Sequence, residues 1–133
     1  MGSARGRSWI VTAAFATSGV VHLIRPKVFE PLIPAALGPA RPWVLASGAA
    51  ELVCAAGLVT RRRWAPPATV AVLAAIWVGN WHMAITWQRD PRRTRAQRLV
   101  AWGRLPLQIP LMQWAWQAPT IGRVPAPTRT LEQ

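Results

Sequence analysis

Eighteen consecutive residues, Trp43 to Thr60, carry a single charge, the carboxylate of Glu51. As an α-helix rising about 1.5 Å per residue, this run is roughly 27 Å long, close to the hydrocarbon thickness of a bilayer. A chain that crosses lipid must satisfy its backbone internally, so the run is restricted to helix. A carboxylate at its centre costs about 2.5–3.5 kcal/mol on insertion scales. Glu51 therefore needs a partner, a proton or a role.

Three further runs share this character. Ser8 to Ile24 is uncharged between Arg7 and Arg25. Arg5, Arg7 and the triplet Ala14-Phe15-Ala16 suggest a secretory signal peptide. However, cleavage there would leave only Trp9 to about Ala13 as its apolar core, so an uncleaved span is expected. Ala65 to Gln88 is uncharged, and Pro66 and Pro67 suit a first helical turn, where no N–H is needed. The fourth run is broken by Pro106, Pro110 and Pro119. A helix from Leu105 to Gln117 would be roughly 20 Å long, too short to cross; one starting near Ala96 would reach roughly 33 Å. The longer helix places Arg104 inside the membrane, and its prolines loosen it locally.

The expected fold is all-α: an integral membrane antiparallel four-helix bundle forming one domain, residues 1–122. Its spans fall at about 8–24, 43–60, 65–88 and 96–117. Between the first two, prolines at 26, 31, 34, 39 and 42 forbid a long helix. Val28, Phe29, Leu32, Ile33, Ala36 and Leu37 still repeat at helical spacing, giving a Pro-rich interfacial segment. It is either a loop with buried aliphatics or a lid over a cavity. Residues 123–133 read as a polar, disordered tail.

The formal charge of +12, with only four acidic residues, would suggest nucleic acid in a soluble protein. Here the basic residues sit between the uncharged runs, where they meet lipid headgroups. The lipid bilayer is the expected partner, and nucleic acid is not. Cys54 is the single cysteine, so dithiol chemistry by this chain alone is excluded. Four spans put both termini on one face with seven arginines, against eight basic residues opposite, and this tie gives no orientation.

The polar residues agree in depth. Counted from the face opposite the termini, Glu51, Asn80 and Arg104 each lie eight residues in, roughly 12 Å. His22 is roughly 4–5 Å deep and His82 roughly 9 Å. Ser47, Glu51 and Ala55 align at i, i+4 beside Gly48, as do Arg104 and Gln108. Asn80 and His82 are about 200° apart on a helical wheel, so only one faces inward. Asn80 is placed inside, aligned with Trp77, Met83 and Ala84, and His82 near the headgroups on another face. That facing disfavours a bis-histidine haem on His22 and His82, or a metal held by these two and Glu51. The expected centre is a buried Glu51–Arg104 ion pair extended by Asn80, Gln108 and His22. Its structural alternative is a pair that only ties the bundle, although such pairs rarely outperform apolar packing. Trp9, Trp43, Trp64, Trp87, Trp102 and Trp116 suit an interfacial belt. Trp77 and Trp81 lie deeper and either pack the core or line a pocket for a flat apolar ligand.

In order along the chain stand Gly19, His22, Pro26, Phe29, Ile33-Pro34, Leu37 and Pro39; then Ser47-Gly48-x-x-Glu51 and Gly57; then Asn80-x-x-Met83-Ala84; then Arg104-Leu105-Pro106-Leu107-Gln108 and Trp114-Ala115-Trp116. This ordered set resembles the DoxX-like family of small four-span membrane proteins. Val78 stands where that family often has proline. The resemblance implies a bundle in the bacterial cytoplasmic membrane with cytoplasmic termini, and an association with redox systems. Three readings follow. The first is a redox accessory subunit, working with a redox protein partner, that binds a quinone or similar lipophilic small molecule. Glu51, Arg104 and Asn80 would hold the head and Trp77 and Trp81 flank it, with Gln108, Ser47 and Met83 as further contacts. The second is an enzyme acting on a hydrophobic substrate, with Glu51 as general acid or base beside Arg104 and His22. The third is a scaffold or chaperone for another membrane protein.

Overall fold

A computed structural model describes residues 4–122 of the chain. Four long helices dominate it: α1 (Ala4–Ile24), α2 (Ala40–Val59), α3 (Ala65–Arg89) and α4 (Arg95–Trp116). No strand occurs among the described residues. The tail expected at 123–133 lies outside them. α1, α2 and α3 are each long and apolar enough to cross a membrane. α4 matches them in length but not in composition, because it carries Arg95, Arg98, Arg104 and three glutamines.

The helix ends follow local chemistry. α1 stops before Pro26, and the link to α2 is three single 3-10 turns, Pro26–Val28, Glu30–Leu32 and Ala35–Leu37. Recurrent proline keeps each turn from growing. α2 starts at Ala40, three residues before the expected Trp43, because Pro42 fits its first turn. The Trp43 indole N–H donates to the Leu37 carbonyl (3.0 Å) and holds the link against the helix. α4 starts well before Leu105 because Thr94 and Gln97 form a reciprocal capping box. The Thr94 hydroxyl accepts from Gln97 N–H (3.2 Å) and the Gln97 side chain accepts from Thr94 N–H (3.0 Å). Two otherwise orphaned donors are thereby satisfied.

Small residues bring the helices together. A Cβ on Gly19 of α1 would stand 2.8 Å from the Gly48 carbonyl oxygen of α2. One on Gly48 would stand 2.6 Å from the Cβ of His22. The backbones therefore touch at this crossing, as small residues allow in apolar surroundings. α1 and α4 are the least closely packed of the neighbouring pairs. One apolar cluster joins Val11, Phe15, Cys54, Leu58, Leu73 and Ala115; a second joins Met83, Ala84, Ala101 and Leu105. Between them lies a buried polar layer. Asn80 falls between Leu73 and Met83 on α3, and Gln108 between Leu105 and Ala115 on α4. Outward, every helix exposes large apolar residues, including Ile10, Val53, Val78, Leu99, Leu107 and Ile109.

Candidate functional site: a polar cleft between the first and fourth helices

Glu51 is the largest fully buried side chain, 1% exposed. α2 aims it inward because Gly48, one turn earlier, is pressed against α1. Ser47, four residues back on the same face, donates its hydroxyl to Glu51 Oε1 (3.4 Å). The other oxygen, Oε2, lies 3.8 Å from His22 Nδ1 and makes no hydrogen bond. His22 is held by Ser18 and Phe29. Its Nδ1 is 2.7 Å from the Ser18 carbonyl and 3.3 Å from the Ser18 hydroxyl, and its ring stacks on Phe29 at 3.7 Å. A carbonyl only accepts, so Nδ1 carries a hydrogen.

A cleft of about 250 Å³ opens between α1 and α4 and reaches Glu51. Asn80, Arg104 and Gln108 line it with the carboxyl group, and Ala14, Phe15, Leu73, Ile76, Leu107 and Leu111 supply its apolar walls. Gln108 spends one N–H on the Leu73 carbonyl (2.8 Å), which pins α4 to α3. Its side-chain oxygen remains free to accept. Asn80 is buried, yet its amide has no partner among the described residues. Arg104, half-buried, likewise pairs with no described residue.

Four expected site residues thus share one cavity: Glu51, Asn80, Arg104 and Gln108. His22 and Ser47 support Glu51 without lining the cleft. Two expectations are corrected. The Glu51–Arg104 ion pair does not form: the ion pairs among the described residues are His22–Glu51 and Arg93–Asp90. The Gly19–Gly48 contact carries His22 to the carboxylate, while α4 stands off across the cleft. Trp77 and Met83 do not flank the cavity. Met83 is core, with Trp77 packed against it. Trp81 makes edge contacts to Trp77 and Trp102 on the outer surface.

Sequence reasoning missed Ser18. Its signal was its position four residues before His22, which puts both on one face of α1. The apolar walls carried no such signal. His82 is half-buried and takes no part in the site. No group of three His, Cys, Asp or Glu side chains among the described residues could hold a metal.

Taken together, these features define an all-helical protein with three membrane-capable helices and a polar cleft among them. The chain belongs to the family described as Domain of unknown function (DUF8561), whose model matches residues 11–119. That span covers all four helices of the bundle apart from the first turns of α1. No curated protein and no solved structure matches the chain.

Proposed function

We propose that this chain is an integral membrane protein that binds a lipophilic small molecule by its polar head in the Glu51 cleft. The observation that carries this reading is a pair of unmet groups in one cavity. Glu51 Oε2 is buried without a hydrogen bond, and the Arg104 guanidinium faces the same space without a partner among the described residues. A buried oxygen left without a hydrogen bond costs free energy that a ligand can return. α4 serves as the fourth span of an antiparallel bundle. Its outward Leu99, Val100, Leu107 and Ile109 suit lipid, and Arg104 and Gln108 turn toward the cleft. The resemblance to the DoxX-like pattern supports a quinone as the lipophile, a role as a redox accessory beside a partner protein, and residence in the bacterial cytoplasmic membrane with cytoplasmic termini.

Native mass spectrometry of protein extracted from its own membrane tests this reading. A lipophilic adduct is expected on the wild type and lost in Glu51→Gln. Binding unchanged in that variant would show the assignment to be wrong.

A second reading rests on the His22–Glu51 contact. A buried carboxylate that lines a cavity and is backed by a histidine can exchange a proton with a bound substrate. On this reading, turnover of a hydrophobic substrate depends on pH in the wild type and loses that dependence in Glu51→Gln.

A further inference from the structure

Resting on the ligand site proposed above, we infer that the ligand is a single-headed amphiphile. It reaches the cleft sideways from the bilayer through the seam between α1 and α4, and its tail stays in lipid while the head is held. Size is the first reason. A cavity of about 250 Å³ lies below the range of about 300–1,000 Å³ typical of pockets that enclose a whole drug-sized ligand. It has room for a ring-sized head and none for a long chain.

Route is the second reason. Along the bundle axis the polar layer is closed at both ends by packed side chains. On one side stand Met83, Ala84, Ala101 and Leu105, with Leu32 of the interhelical link packed over them. On the other stand Val11, Leu58 and Ala115. The remaining way out is lateral, through the loosest seam of the bundle. Its mouth is apolar: Ala14 and Leu107 are exposed there, and Leu107 is 62% accessible. An apolar mouth with polar groups behind it suits an alkyl chain leading away from a polar head.

Head chemistry is the third. Arg104 only donates and an ionised Glu51 only accepts, and the two stand apart in one space. A head with an acceptor on one side and a hydroxyl or similar donor on the other satisfies both.

The test uses the full chain in lipid nanodiscs with two probes kept reduced, a decyl-substituted hydroquinone and its tail-less methyl analogue, the former also with a diazirine midway along the chain. The tailed probe should load the wild type and label the α1 and α4 peptides holding Ala14 and Leu107. Leu107→Trp should cut its loading about tenfold, equivalent to about 1.4 kcal/mol. Val53→Trp, on an exposed face of α2, should leave loading intact. Equal loading of tailed and tail-less probes, or labelling elsewhere, overturns the inference even if Leu107→Trp fails to fold. Tailed-probe loading lost in Glu51→Gln yet unchanged in a folded Leu107→Trp keeps the site and rejects the route. Loading absent from the wild type, or unaffected by Glu51→Gln, rejects the site itself and the inference with it.

Discussion

His22 Nδ1 lies 3.8 Å from Glu51 Oε2 and 2.7 Å from the Ser18 carbonyl, so one imidazole joins α1 to the buried carboxylate of α2. The histidine is the acid's nearest cationic partner only when protonated. In either state it stands against the carboxylate, which Ser47 hydrogen-bonds from the other oxygen. Replacing His22 with Ala removes this support and the Phe29 stack together. The expected loss is about 1–2 kcal/mol of stability, from a broken polar contact and a lost aromatic pair. Thermal unfolding in detergent measures it, and a double-mutant cycle with Glu51→Gln should show the two residues coupled.

On the ligand-site reading, Glu51 serves binding rather than stability. A buried carboxylate with one unpaired oxygen is poorer packing than an apolar side chain of similar volume. Glu51→Leu should therefore melt at the same temperature as the wild type or higher, while losing ligand. A loss of several kcal/mol would instead mark the residue as structural.

The Gly19–Gly48 crossing should tolerate nothing larger than hydrogen. In Gly48→Ala the new methyl meets His22 Cβ at 2.6 Å and the Gly19 carbonyl at 3.0 Å, and backbone cannot swing aside. Overpacking of this kind costs about 1–3 kcal/mol. Gly79 provides the contrast, since a Cβ there meets nothing within 4 Å. Gly79→Ala should gain about 0.5–1 kcal/mol from helix propensity alone. The two variants, unfolded side by side, should shift in opposite directions.

The start of α4 depends on Thr94. Thr94→Ala should cost about 1 kcal/mol and fray the first turn. Faster amide exchange at residues 95–98, with residues 105–116 unchanged, is the expected signature.

That capping box also shows what the sequence reveals and what it hides. The long fourth helix was expected from the length needed to cross a bilayer, and Thr94-x-x-Gln97, which fixes its start, is a local signal in the sequence for the same answer. Depth counting along straight helices brought Glu51, Asn80 and Arg104 to one level, because rise per residue is nearly constant, and the i, i+4 alignment with Arg104 added Gln108 to the same cavity. Rotation and spacing between helices were less legible. They depend on which small residues meet, and the Gly19–Gly48 contact handed Glu51 to His22 rather than to Arg104. The Trp77 side chain illustrates the same limit: it shares a face with Asn80 but turns into the neighbouring cluster. Apolar walls such as Leu107 and Leu111 look in sequence like any lipid-facing residue.

The most direct test of the cleft as a ligand site is native mass spectrometry of the wild type, Glu51→Gln and Arg104→Met, each extracted from the same membrane. A lipophilic adduct is expected on the wild type and should be lost from both variants while their helicity is retained. An adduct of equal occupancy on all three proteins, or none on the wild type, would contradict the cleft as a ligand site.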